Sequence, residues 1–197
     1  MKTIKGKFIL FDFPAFETWL TGLNVTRRIG LIQQHHTWKP DYENWQKLPD
    51  HFHWQESMEQ SHILNGFSQI AQNLTSFPDG TIALGRPFDT IPAGIKGANQ
   101  YGICIEHLGN FDIGGDNMTA IHRETIIKMN TALLLKFKLV PSTESIVYHH
   151  FYNIITGERW VDHPEKYPNP VTKSCPGTNF FGGNTVADSE LNFIPLL

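Results

Sequence analysis

Cysteine and charge are the two things of which this sequence has little. Only two of the 197 residues are cysteine, Cys104 and Cys175, so disulfides are not the main source of stability. Lys and Arg number 16 against 19 Asp and Glu, and charged residues make up 18% of the chain. Since no excess of positive charge is available to neutralise a phosphate backbone, we expect no nucleic-acid partner.

The sequence also lacks a long hydrophobic run. No apolar stretch approaches the ~18 residues expected of a membrane span. Near the N-terminus the apolar run at 8–11 is interrupted by Asp12, and no small-residue cleavage site follows it. We therefore expect no membrane span and no signal peptide. This predicts a protein made in the cytoplasm and exported, if at all, by a route that its own N-terminus does not specify.

The length is sufficient for one domain that buries a substantial core. Residues 1–27 are aromatic-rich and place Pro14 in the first turn of a short helix, so we interpret them as a flap or helix packed on a main domain, 28–197. Hydrophobic periodicity and turn residues predict the remaining elements. The predicted strands are 28–38, 67–77, 81–85, 101–109 and 145–150, and the predicted helices are 41–64 and a core helix from Asp116 or Thr119 to about Phe137.

A polar turn near the C-terminus, 172–177, carries Lys173 and Cys175. In an extended segment these two side chains project from the same face, because side chains alternate along the backbone. Two pairs of adjacent histidines, 35–36 and 149–150, each end an apolar, β-prone run. Two histidines and one thiolate are the ligands of a zinc site with an open fourth position for water.

One carboxylate also stands out. The strand predicted at 101–109 places Cys104 and Glu106 on one face and Ile103 and Ile105 on the other. A carboxylate on an otherwise apolar strand is expensive to bury, so Glu106 is either paired for structural reasons or poised for chemistry.

By contrast, nothing in the spacing of three other histidines converges with a cysteine or a carboxylate. These are His51, His53 and His62, in the predicted helix 41–64. We interpret them as solvated surface residues.

Three motifs in a fixed order carry a family resemblance. His35-His36-Thr37 follows a strand; a strand ending in Glu106 is followed by Gly109-Asn110-Phe111-Asp112; and a strand-end histidine precedes Lys173-Ser174-Cys175-Pro176-Gly177. Together they resemble the zinc-dependent N-acetylmuramoyl-L-alanine amidases of type 2, the superfamily of phage lysozyme-like amidases and peptidoglycan recognition proteins. The resemblance covers roughly residues 28–181. It implies an α/β fold, with a central mixed β-sheet flanked by helices and a zinc site in a surface groove.

The resemblance also implies the zinc ligands. The family motifs place the first ligand on His35, the second on His149 and the third on Cys175. His36 and His150 are the competing choices, because neighbouring strand residues face opposite ways and only one of each pair can point at the metal.

Two further residues take catalytic roles by the same resemblance, Lys173 as the catalytic lysine and Glu106 as the glutamate used by some branches of the family. The sequence departs from the family pattern at Phe151, where an acidic residue usually follows the second histidine, and at Gln72, where many members have a tyrosine. Keeping the glutamate without the tyrosine suggests the glutamate-dependent version of the mechanism.

The implied function is hydrolysis of the amide between N-acetylmuramic acid and L-alanine in peptidoglycan. The implied partner is peptidoglycan or a muropeptide, met at the cell wall or in the cytoplasm, and we expect a monomer. The loop 86–99 would line the groove, with Trp38 and Trp45 at its border. One alternative is a peptidoglycan-binding module without catalysis. Another is a structural zinc protein, which would need Cys104 or His107 as a fourth ligand.

Overall fold

A seven-stranded mixed β-sheet forms the centre of the computed structural model, which describes residues 1–197. The strands are β1 (Lys2–Lys5), β2 (Phe8–Phe11), β3 (Leu31–His36), β4 (Leu74–Ser76), β5 (Ile82–Leu84), β6 (Gly102–His107) and β7 (Ile146–Tyr148). Their order across the sheet is β1-β2-β5-β4-β6-β3-β7. The expected α/β fold with a mixed sheet is confirmed.

Four strands at one side of the sheet run parallel. β3 pairs in parallel with β6 and β7, and β4 pairs in parallel with β6, whereas β1, β2 and β5 complete the sheet in antiparallel pairs. The carboxyl ends of parallel strands meet at one edge, which is where α/β sheets place their ligands. The histidine pairs and Glu106 all lie at or just beyond those ends.

The helices cover both faces of this sheet. They are α1 (Phe13–Gly22), α2 (Tyr42–Lys47), α3 (His51–Leu64), α4 (Ala120–Phe137) and a short α5 (Val186–Asp188). On β2, Phe11 stacks near Trp19 of α1, and Phe8 packs with Met58 of α3. Because Phe8 and Phe11 differ by an odd number of positions, they point to opposite faces, and the two helices therefore flank the sheet from both sides.

Helix α4 is the core scaffold that the sequence predicts. The Thr119 side chain accepts a hydrogen bond from the backbone N–H of His122 and so caps the helix start. Ile126, Met129 and Leu133 are fully buried at helical spacing. None of the helices combines the length and the apolar character that a membrane span requires.

The N-terminal segment contributes more than the expected helix. α1 begins after Asp12, whose carboxylate accepts from Ala15 N, and Pro14 lies in the first turn. Two strands that were not predicted precede it. β1 and β2 form an antiparallel hairpin, and β2 also pairs with β5. Residues 2–11 thus extend the sheet at its antiparallel edge.

The bounds of the predicted elements differ from those in the structure, and three of them differ in kind. The helix expected at 41–64 is two helices, because Pro49 cannot continue the first of them. The strand expected at 67–77 is paired only at 74–76, since the backbone N–H groups of residues 70 and 71 bond to side chains of α3 instead of to a strand. The last strand ends at Tyr148, and a 3-10 turn follows it.

A polar network lies buried beneath the sheet's parallel strands. Ser76 Oγ is 2.7 Å from His107 Nδ1 and 2.7 Å from His122 Nε2. Tyr42 Oη lies 2.7 Å from His122 Nδ1, and His107 Nε2 lies 2.9 Å from Gln34 Oε1. All four ring nitrogens are therefore satisfied within the protein, so these histidines form a structural network and not a ligand site.

Candidate metal centre

Three side chains from distant parts of the chain meet at the carboxyl end of the parallel strands. His35 lies near the end of β3, His149 in the turn after β7, and Cys175 in the C-terminal loop. His35 Nδ1 is 3.2 Å from His149 Nδ1 and 3.5 Å from Cys175 Sγ. The three ligand atoms all lie within 4.8 Å of one another. We call these residues the His-His-Cys cluster.

The loop that carries Cys175 is held firmly against the strand ends. Cys175 O accepts a hydrogen bond from His150 N at 2.8 Å, and Cys175 Sγ accepts from His36 N at 3.4 Å. Gly177 adopts a φ of +121°, and a Cβ there would approach the Phe111 carbonyl to 2.4 Å. Only glycine allows this close approach, so the sequence Cys-Pro-Gly fixes the position of the thiol.

The electrostatics of the cluster favour uncharged imidazoles. Burial, with the neighbouring His149 as a second cause, lowers the pKa of His35 well below its ordinary value. Burial lowers the pKa of His149 to about 3, and Lys173 adds to the effect. Burial also raises the pKa of the Cys175 thiol. The two imidazoles and the thiol are thus uncharged near neutral pH, and they share a small buried volume.

The donor set fits a metal ion. Neutral imidazole and thiolate are the ligands zinc prefers, and three protein ligands leave one position open. His35 Nε2 is buried with no hydrogen-bond partner, whereas its Nδ1 faces the other two donors. His35 Nδ1 can form one hydrogen bond, as donor or acceptor, yet His149 Nδ1 and Cys175 Sγ both lie within reach of it. A cation at the centre would satisfy all three donor atoms at once.

The second histidine of each pair is bonded elsewhere. His36 Nδ1 accepts a hydrogen bond from Phe111 N at 3.1 Å, and His150 Nδ1 lies 2.8 Å from Lys173 O. Only the leading histidine of each pair, His35 and His149, faces Cys175.

Glu106 and Lys173 line the same cavity as the cluster. Glu106 is the direct neighbour of His35 across the β3–β6 pair, on the same face of the sheet. Desolvation at the bottom of this cavity raises the pKa of Glu106 to about 8, although nearby Lys173 lowers it in part. Its side chain is half-buried and has no protein hydrogen bond, so it is available to a substrate or a water molecule.

The cavity above the cluster continues into a second one. The first has a volume of about 770 Å³ and the second about 490 Å³. Four residues line both: Thr37, His62, Asn65 and Glu106. A groove therefore crosses the strand ends, with Glu106 on one wall of its middle and the end of α3 on the other.

Several expectations for the groove need correction. Trp45 does not border it, because this side chain is buried and packs on Phe77 in the core. His62 was predicted to be a solvated surface residue, but it lines both cavities. No local signal marks His62, because only the packing of α3 brings it to the strand ends. Gln72 is fully buried against Thr75 and lines neither cavity.

Other expectations agree with the structure. The loop 86–99 reaches the groove through Ala93 and Gly94, and Trp38 lies at its border. Neither proposed fourth ligand joins the cluster: His107 belongs to the core network, and the Cys104 thiol is not among the grouped ligand atoms.

The fold and the cluster together define an α/β domain with a three-donor site that could hold a metal ion, set in a groove at the ends of parallel strands. The sequence profile described as N-acetylmuramoyl-L-alanine amidase matches residues 25–178. The chain therefore belongs to the N-acetylmuramoyl-L-alanine amidase family. A search of curated protein sequences returns no match.

Solved structures with a similar fold come from bacteria and from animals. The amidase LysC from Clostridium intestinale URNW has a TM-score of 0.54 and 20% identity, over 80% of this chain and 88% of that one. Drosophila PGRP-LB has a TM-score of 0.59 and 16% identity, over 86% of this chain and 88% of that one. A point mutant of Drosophila PGRP-LB, solved in complex with tracheal cytotoxin, has a TM-score of 0.57 and 16% identity over 85% of this chain and 83% of that one. At these identities the likeness is one of fold.

Proposed function

We propose that this protein is a zinc-dependent N-acetylmuramoyl-L-alanine amidase, which cleaves the amide between N-acetylmuramic acid and the L-alanine of the peptide stem. One observation carries the proposal: the His-His-Cys cluster lies directly beside Glu106 at the bottom of a groove. The family match supports the same reaction.

His35, His149 and Cys175 would hold the zinc ion. Bound there, zinc supplies a Lewis acid that makes water nucleophilic near neutral pH. The protein's contribution is to keep both imidazoles neutral by burial and to hold their Nδ1 atoms 3.2 Å apart, with Cys175 Sγ 3.5 Å from that of His35.

Glu106 would act as the general base and then the general acid. Burial raises its pKa and nearby Lys173 lowers it in part. A bound zinc ion would lower it further, so the group would be ionised near neutral pH and still be a stronger base toward the attacking water than an exposed glutamate. The same proton can then pass to the leaving amine of L-alanine. No protein donor competes for the carboxylate oxygens.

Lys173 would stabilise the negative charge that develops on the carbonyl oxygen of the scissile amide. Its side chain is exposed to the cavity, and its positive charge is close enough to lower the pKa of His149 and Glu106. Such stabilisation is usually the largest electrostatic contribution to acyl transfer.

The decisive experiment is digestion of purified peptidoglycan followed by mass spectrometry. We expect free stem peptides that begin with L-alanine, one zinc ion per chain, and loss of both activity and zinc on chelation, restored by added zinc. Glycan fragments with the stem still attached would mean that a different bond is cut.

The PGRP-like neighbours leave one alternative, a peptidoglycan-binding module without catalysis. The presence of Cys175, Lys173 and Glu106 in one cavity favours catalysis over binding alone. Binding of peptidoglycan by a zinc-loaded protein that releases no stem peptide would support the binding module instead.

A further inference from the structure

One tryptophan differs from the other four in what it contributes to the fold. Trp19 and Trp45 pack against core phenylalanines, and the indole N–H groups of Trp54 and Trp160 donate to backbone carbonyls. Trp38 does neither: it is 57% exposed, belongs to no hydrophobic cluster and has no aromatic partner. Its large apolar surface is therefore available to bind a ligand.

The backbone holds Trp38 in this exposed position at a cost. Its φ is +57°, a left-handed conformation that is rare and unfavourable for a bulky side chain. Trp38 N donates to Gly109 O at 3.0 Å, and Thr37 N donates to His107 O at 3.0 Å. These bonds tie the segment to the end of β6, so the strain cannot relax. Strain of this kind persists mostly at ligand clamps and functional sites.

The location of Trp38 narrows the choice of ligand. It lies three residues after His35, which limits its Cα to within about 11 Å of the Cα of the first proposed ligand. It lines the same cavity as the His-His-Cys cluster, beside polar groups that include Asp112 and Ser174. The ligand must therefore combine a flat apolar face with a polar edge, and must lie next to the scissile bond.

We propose that Trp38 is a stacking platform for the sugar ring of the substrate. This inference rests on the proposed amidase function. In that substrate L-alanine lies on one side of the scissile amide, and the sugar lies on the other. Only the pyranose ring of the sugar presents a ring-sized face of C–H groups to an indole, with hydroxyl groups at its edge. Trp38 thus positions the glycan side of the substrate. Ser174 Oγ donates to Asp112 Oδ2 and Thr178 N donates to Asp112 Oδ1, so Asp112 and Ser174 offer their remaining lone pairs to the sugar hydroxyls.

A substitution by glycine separates this role from a role in folding. Glycine relieves the positive φ but makes the unfolded chain more flexible, and Trp38 has no packing partner to lose, so Trp38→Gly should change the stability in urea unfolding no more than Lys138→Gly does. Lys138→Gly is the matched control. Lys138 also has positive φ, +54°, but it caps the end of α4 and lines no part of the groove.

The experiment uses the full chain and two probes that it cannot cleave: the disaccharide N-acetylglucosaminyl-N-acetylmuramic acid without peptide, and the free stem peptide without sugar. Binding is followed by the indole N–H signals in NMR. We expect the disaccharide to shift the Trp38 signal, and Trp38→Gly to weaken disaccharide binding by about tenfold while stem-peptide binding stays the same. Trp38→Phe should recover most of the affinity, and Lys138→Gly should match the wild type for both probes.

Each result decides between the alternatives. Unchanged disaccharide binding in Trp38→Gly, or a loss confined to the stem peptide, would overturn the platform. A loss of stability in Trp38→Gly clearly larger than that in Lys138→Gly would also contradict it, because the Trp38 side chain would then be serving the fold. A wild-type protein that binds the disaccharide through Trp38 but releases no stem peptides would refute the proposed amidase activity and leave the platform intact.

Discussion

Two pairs of buried histidines lie on opposite faces of the same parallel strands, and they differ in how their nitrogens are satisfied. In the core pair, His107 and His122, every ring nitrogen has a partner at 2.7 to 2.9 Å. In the cluster pair, His35 and His149, the two Nδ1 atoms face each other at 3.2 Å and His35 Nε2 has no partner.

This difference separates a structural histidine from a candidate metal ligand. Burial lowers the pKa of both pairs, so a shifted pKa does not distinguish them. What distinguishes them is the hydrogen-bond pattern. Each ring nitrogen of a core histidine has its own hydrogen-bond partner in the protein. In the cluster, nitrogens of both histidines point at one place together with a thiol.

Removing the thiol should abolish the metal centre. We expect Cys175→Ala to lose bound zinc and to lower kcat by more than ~1000-fold, because two histidines alone make a weak zinc site and the Lewis acid is then lost. Metal analysis and release of stem peptides measure both effects. Cys104→Ser is the control, since this buried thiol is not part of the cluster: it should keep its zinc. Zinc retained in Cys175→Ala, or lost in Cys104→Ser, would show that the cluster is misassigned.

Glu106 should matter for rate and not for metal. We expect Glu106→Gln to keep its zinc and its fold but to lose about 100-fold in kcat, because the amide cannot accept the proton of water. The glutamine is nearly isosteric, so the groove keeps its shape and KM should change little. Nearly normal turnover in this variant would remove Glu106 from the mechanism.

Some residues of the candidate site could be predicted from the sequence and others could not. The family motifs named His35, His149 and Cys175, whose donor atoms lie together in the structure, and strand alternation predicted that Cys104 and Glu106 share a face of β6. The role of His62 was not predictable, because it depends on the packing of α3 over the strand ends.

The buried Tyr42–Gln34 network was equally hidden in the sequence. It depends on which side chains meet across β3, β4, β6 and α4. The N-terminal hairpin was missed for a different reason: β1 is fully exposed, so its residues show no buried apolar periodicity.

The core pair should make the fold acid-sensitive. Burial lowers the pKa of His122 from its ordinary 6.5 to about 3. Between these pH values the unfolded chain binds a proton at this residue and the folded chain does not, so stability falls as the pH falls. We expect His122 to contribute a loss of about 2 kcal/mol between pH 7 and pH 5.

The measurement is urea unfolding of zinc-free protein at pH 7 and at pH 5. His122→Gln cannot take up the proton but can still form a hydrogen bond with Ser76 Oγ, so its stability should fall by about 2 kcal/mol less than that of the wild type over this range. Equal losses in the two proteins would mean that His122 is not kept neutral by burial.

His62 is intermediate between the core pair and the cluster pair in its hydrogen bonding, and its variants should have the smallest effects. Its Nδ1 accepts from Ala71 N at 3.2 Å, which places the proton of the neutral ring on Nε2, and the ring lines both parts of the groove. His62→Asn keeps an acceptor near Nδ1 and removes the groove donor, whereas His62→Gln keeps a donor near Nε2 and removes the acceptor. If His62 binds the substrate, we expect KM to rise about tenfold in the Asn variant and much less in the Gln variant. A purely structural histidine would give the reverse order, with the Gln variant the less stable, and His53→Gln on the same helix should resemble the wild type.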